Sequence, residues 1–214
     1  MAIVQNPFIG QAAGKFAGAI FSKQFGKNTM RSKPISVHNP NTLAQQTQRM
    51  KFSMLIALAR MILGFVQIGY KQMAVGMSAF NAFVGENIKL IIAGAFPAFT
   101  IDWTALIVCH GTLFGVSTPT VTAAAGKKIT PSWADNSGDG DALATDVALI
   151  LLINSTKDVI KQDVSTAFRT TGTLEIVVPD AWVGDDVQCY LAFQNADGSK
   201  VSDSVFIDAV VVVA

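Results

Sequence analysis

The sequence carries little charge: 14% of its residues are Asp, Glu, Lys or Arg, against ~25% in ordinary soluble domains. With so few charged side chains, much of the exterior is expected to be covered by neighbours. Cysteine and histidine are scarce, with two of each. Cys109 and Cys189 lie in apolar runs without CxxC or Cys/His spacing, which predicts small buried hydrophobes rather than a redox or metal pair. His38 and His110 are too isolated for a zinc site. Phosphate-loop, GxSxG and HExxH signatures are absent, and Gln11-Ala-Ala-Gly14-Lys15-Phe16 lacks both the first glycine and the terminal hydroxyl of a nucleotide-binding loop. The expectation is a chain that is not an enzyme, with no cofactor and no small-molecule substrate.

Two further absences concern the membrane. The start, Met1 to Phe16, has no basic region followed by a long apolar run, so no secretory signal is expected. The longest apolar stretch, Phe52 to Val66, is broken by Arg60 and falls short of the ~20 residues of a membrane span.

Acidic residues are missing from the whole of residues 1–85, which hold nine Lys or Arg; residues 86–214 hold seven basic and fifteen acidic ones. The two parts carry +9 and −8, an asymmetry that points either to a nucleic-acid-facing half or to head-to-tail attraction between subunits. The basic residues are dispersed, and the aromatics among them are Phe, a poor stacking platform for bases. Attraction between subunits is therefore preferred over nucleic acid.

What is present divides into three regions. In residues 1–40, Gly10, Gly14, Gly18 and Gly26 discourage a helix, and the spacing predicts an extended, basic arm or hairpin lying on a neighbouring subunit. Its assembly residues are Phe8, Phe16, Phe21, Phe25, Lys15, Lys23 and Arg31, because spaced Phe left in solvent would invite aggregation. Residues 41–94 form a helical assembly region, opened by Asn39-Pro40-Asn41-Thr42, with Asn41 or Thr42 as the cap. Arg49 and Phe52 follow, and then an apolar stripe from Leu55 to Leu63 that Met50, Met54, Leu58 and Met61 widen almost round the cylinder. A second helix is predicted over 78–92, with Phe80, Phe83, Val84, Asn87, Ile88 and Ile91 on one face.

Residues 95–214 change period. Gly and Pro punctuate short runs rich in Val, Ile, Phe and Thr, the pattern of an antiparallel β-domain, with its core over 119–214. The runs are 100–109, 121–124, 128–133, 146–153, 165–169, 173–178, 187–194 and 205–213, and Val147 to Ile153 is continuously apolar, as in a central strand. The seven runs after residue 120 resemble an immunoglobulin or fibronectin type III sandwich, with Trp133 and Tyr190 as core aromatics. The fold class expected is α+β.

One loop matches a calcium site: Asp135, Ser137, Asp139, Asp141 and Asp146 have the oxygen-ligand spacing, with Gly140 at the sixth position. The last ligand is Asp rather than the longer Glu, and its flanks are strands, so an acidic hairpin loop is preferred.

The stretch Arg31-Ser-Lys-Pro34, Asn39-Pro-Asn-Thr42, Ala44-Gln45, Arg49 and Lys51-Phe52 resembles a motif of an uncharacterised family of small proteins. These are encoded by gut and aquatic Gram-negative bacteria and by their tailed phages and prophages. The likeness continues in 78–83, Thr100-Ile-Asp-Trp103, Ser132 to Ser137 and Tyr190 to Ser204. The resemblance implies a structural subunit of a tailed-phage virion, made in the host cytoplasm, forming a ring or sleeve at the neck or tail. Its partners would be copies of itself and other virion proteins. A calcium-stabilised or adhesive sandwich, or a basic protein contacting nucleic acid, is the alternative, with Trp182 and Tyr70 the aromatics available to a glycan.

Overall fold

The computed structural model describes residues 2–3, 13–24, 26–36 and 39–214. The chain forms two compact units, residues 1–46 and 47–214, and its class is mixed α+β.

In the N-terminal unit, β1 (Ala2–Ile3), β2 (Gly14–Phe16), β3 (Ala19–Gln24) and β4 (Lys27–Ser32) form an antiparallel sheet in the order β1-β4-β3-β2. Ala17 and Gly18 make the two-residue turn between β2 and β3, with Phe16 opposite Ala19. Gly26 closes the next hairpin at φ +78, a conformation that glycine adopts without steric cost. Among the described residues of this sheet only Thr29 is buried, with its hydroxyl 2.7 Å from that of Ser22.

α1 (Leu43–Met61) starts behind Thr42, whose Oγ1 accepts the Gln45 N–H. The predicted continuous run to Val66 is broken at Ile62, where the chain turns by 86° into α2 (Leu63–Gly69). α2 ends against the backbone of Val108 and Cys109, and a Cβ on Gly69 would lie 2.6 Å from the Val108 carbonyl oxygen. α3 (Ala79–Asn87) is capped by Ser78, which accepts the Asn81 N–H, and is shorter than predicted. Among the described residues no single helix is long and apolar enough to cross a membrane.

A hairpin of β5 (Ile92–Ala95) and β6 (Ala98–Ile101) follows. The remaining strands make two sheets. β7 (Ser117–Ala124), β8 (Lys128–Ala134) and β11 (Ile176–Val177) pair in the order β11-β8-β7. β9 (Val147–Asn154), β10 (Val159–Asp163), β12 (Asp186–Gln194) and β13 (Val205–Val211) pair in the order β10-β9-β12-β13.

The period-2 geometry of a strand explains the continuous apolar run of β9. Ala148, Ile150 and Leu152 join Trp133, Leu191 and Phe193 in the cluster shared with the three-stranded sheet. Leu149, Leu151 and Ile153 join Leu55, Phe65 and Phe83 in the cluster under the helices. The four-stranded sheet is therefore buried on both faces. Trp133 lies inside the sandwich, edge-on to Phe193 at 6.0 Å. Tyr190 packs on the opposite, helical face, where its hydroxyl donates to the Trp103 carbonyl at 2.7 Å.

The strands depart from expectation at three places, the first being the run 100–109, which is strand only at Thr100 and Ile101, in β6, and otherwise turns and loop. The run 165–169 is not a strand: Phe168 makes one bridge to Val147, and Arg169–Thr171 is a short 3-10 turn. β10 was not foreseen because Lys161, Gln162 and Asp163 dilute its apolar signal, as suits an edge strand.

Candidate assembly surface

The side chains of the N-terminal sheet follow from its exposure. Lys15, Lys23, Lys27, Arg31 and Lys33 all point to solvent, and residues 1–46 contain no acid to balance them. Phe21 is half-buried. Phe16 pairs through its backbone, while Phe8 and Phe25 lie outside the described residues. Beyond β4, Ile35 is fully exposed, two residues after Lys33 and next to Pro34.

In the larger unit, α1 buries Leu55, Leu58 and Ala59 and leaves Arg49 and Phe52 on its surface. The Lys51 ammonium stands 5.0 Å from the centre of the Phe99 ring, a cation–π contact that ties α1 to β6. Beside it, Met54, Ala57, Leu58 and Met61 of α1 face Ile101 and Trp103 across a cavity of about 340 Å³. The polar group on its wall is Asp158, at the exposed turn between β9 and β10. Two methionines make such a wall adaptable to the shape of what enters. The floor is fixed, because Tyr190 holds the Trp103 backbone from below.

The acidic loop is arranged about an arginine. Arg169, with no exposed side-chain surface, donates from Nε to Asp146 Oδ2 at 3.1 Å, from Nη1 to Asn136 Oδ1 at 2.6 Å and from Nη2 to the Phe114 carbonyl at 3.0 Å. Its guanidinium also lies 3.9 Å from the centre of the Phe193 ring. Of the five proposed calcium ligands, Asp146 is therefore buried in an ion pair. Asp141 accepts the Phe114 N–H and pairs with Lys200, and Asp135 caps its own turn through the Ser137 N–H. These hydrogen bonds hold the Asp135 and Asp141 carboxyls below the usual range. Among the described residues no three His, Cys, Asp or Glu side chains converge as a metal site would require, so the structure does not gather Asp135, Ser137, Asp139, Asp141 and Asp146 around one point. Arg169 supplies the positive charge that the spacing had suggested a cation would bring.

A second buried polar group stitches the helices to the following loop. Asn87 donates to the Ile107 and Phe83 carbonyls and accepts the Ile107 N–H, each at 3.0 Å. The same nitrogen lies 3.2 Å from the Tyr70 hydroxyl, which donates to the Ile107 carbonyl. Burial raises the Tyr70 phenol well above its ordinary value, with Glu86 adding to the effect. At the edge of this group His110 Nδ1 lies 2.7 Å from Glu86, and that hydrogen bond raises the imidazole pKa. The signals for these residues were faint: Asn87 is a polar residue inside an apolar stripe, and Arg169 is one base among many acids. Both aromatics offered to a glycan, Tyr70 and Trp182, are buried. Both cysteines are buried and free; burial pushes the Cys109 thiol up and that of Cys189 up to about 12.

No curated protein matches this sequence. Residues 11–208, which run from β2 through all three helices and β12 into β13, match the family of unknown function DUF6266, and the chain belongs to that family.

Proposed function

We propose that the chain is a non-catalytic structural subunit that works by assembling with copies of itself. The observation that carries this reading is the N-terminal sheet, four strands of which the described residues bury only Thr29. A sheet has to bury one apolar face to be stable, whatever its number of strands beyond two. Its basic, acid-free surface suits a partner with the opposite charge, and residues 47–214 carry eleven basic and fifteen acidic side chains. A heterologous contact of this kind closes into a ring or runs on as a sleeve, depending on the rotation it imposes. The setting we assign is the phage-type virion that the motif from Arg31 to Phe52 implies.

The larger unit is suited to a scaffold role. Lettering its strands A, B, C, C′, E, F and G in chain order gives sheets A-B-E and C′-C-F-G, and supports assignment to the fibronectin type III or immunoglobulin-like sandwiches. Here the helices cover the C′-C-F-G sheet. Sedimentation velocity across a concentration series is the test: a species larger than the 22.7 kDa chain that grows with concentration is expected. A single monomeric species at every concentration, alone and with other particle components, would overturn the proposal.

A further inference from the structure

The cavity between α1 and β6 is small and largely apolar, and Ile35 of the N-terminal unit is exposed. The cavity wall is apolar apart from Asp158, whose carboxylate has no partner among the described residues. Its volume of about 340 Å³ is small, at the lower end of the ~300–1,000 Å³ usual for binding clefts. That size takes one branched aliphatic side chain and its flanking backbone. Among the described residues Ile35 is the most exposed large apolar one, at 105% relative exposure, a position where an isoleucine gains nothing from folding. Lys33 precedes it by two, and residues i and i+2 of an extended segment project to the same side about 6–7 Å apart. Pro34 holds Lys33 out of the helical region, so the tripeptide is already extended and loses little freedom on docking.

We infer that the cavity lined by Met54, Ala57, Met61, Ile101 and Trp103 is a socket for Lys33-Pro34-Ile35 of a second copy of this chain, Ile35 entering it and Lys33 meeting Asp158. This rests on the assembly reading above and names the contact that would carry it. Charge complementarity selects the occupant: the segment comes from a unit with five basic and no acidic residues, and the socket has one carboxylate and no base on its wall. Each copy then presents one plug and one socket, a head-to-tail contact.

Two variants test this, Ile35→Asp, which removes the plug, and Ala57→Arg, which blocks the socket from an exposed helix position. Each should keep the wild-type far-UV spectrum and melting curve and weaken self-association at least tenfold. Mixed together, they should recover a 1:1 heterodimer and nothing larger, because one chain keeps its socket and the other its plug. Lys33→Glu should weaken association and combination with Asp158→Lys should restore it. If both single variants assemble like wild type, the socket is refuted while the assembly reading stands. If both lose assembly but the mixture gives no heterodimer, the plug serves its own chain or another protein and the inference is wrong. A wild-type chain that is monomeric throughout removes the assembly reading itself.

Discussion

Residues 47–214 bury two hydrophobic clusters on the two faces of one sheet, whereas residues 1–46 bury, among the described residues, a single threonine. The charges differ as well: the larger unit has acids paired with Lys127, Lys128, Lys157, Arg169 and Lys200, while the smaller has five bases and no acid. The contrast teaches that similar secondary structure is sustained by different means. One part encloses its own hydrophobic clusters; in the other, the described side chains other than Thr29 are partly or fully exposed.

The sharpest way to break the comparison is to attack the larger unit where its polar core is concentrated. Arg169→Ala leaves Asp146 and Asn136 buried without their partner and should cost about 3–5 kcal/mol in a denaturant titration. Replacing the pair together, Arg169→Met with Asp146→Leu, should recover most of that loss, since an apolar pair has no charge to desolvate. Asn87→Ala comes next, at about 2–3 kcal/mol by the same titration, because the Ile107 N–H loses its acceptor and the Ile107 carbonyl one of its two donors.

His110→Gln should cost less, under about 1 kcal/mol, because the imidazole is more than a third exposed and its pair with Glu86 is screened. The sign follows from the raised value. His110 contributes its full stabilisation below the ordinary histidine pKa of ~6.5 and loses it as pH rises through the raised one. Melting curves of the two proteins should therefore differ most below pH ~6.5 and converge as pH rises through the raised pKa. Thr29→Val in the small sheet should be the mildest change, leaving the melt of the larger unit unaltered.

Much of the larger unit was legible because its signals are local. The 128–133, 146–153, 187–194 and 205–213 runs lie on β8, β9, β12 and β13, and α3 falls within the predicted 78–92. The break at Ile62 was not legible, since the apolar stripe runs through it without Gly or Pro until Gly64. Nor was the side on which Tyr190 packs, because a strand buried on both faces carries no polar residue to orient it. In the acidic loop the partner of Asp146 was not legible, because Arg169 stands more than twenty residues further on. Phe52 and the basic residues named from the sequence as assembly residues lie exposed. The cavity was not, because Ile101, Trp103 and Asp158 reach it from distant parts of the chain.

Deleting residues 2–35 tests most directly whether the two units have separate tasks. The truncated protein should keep the circular dichroism and melting temperature of the larger unit and sediment as a monomer under conditions where the full chain assembles. Assembly that survives the deletion, or a larger unit that no longer folds without those residues, would contradict the division of labour between the two units.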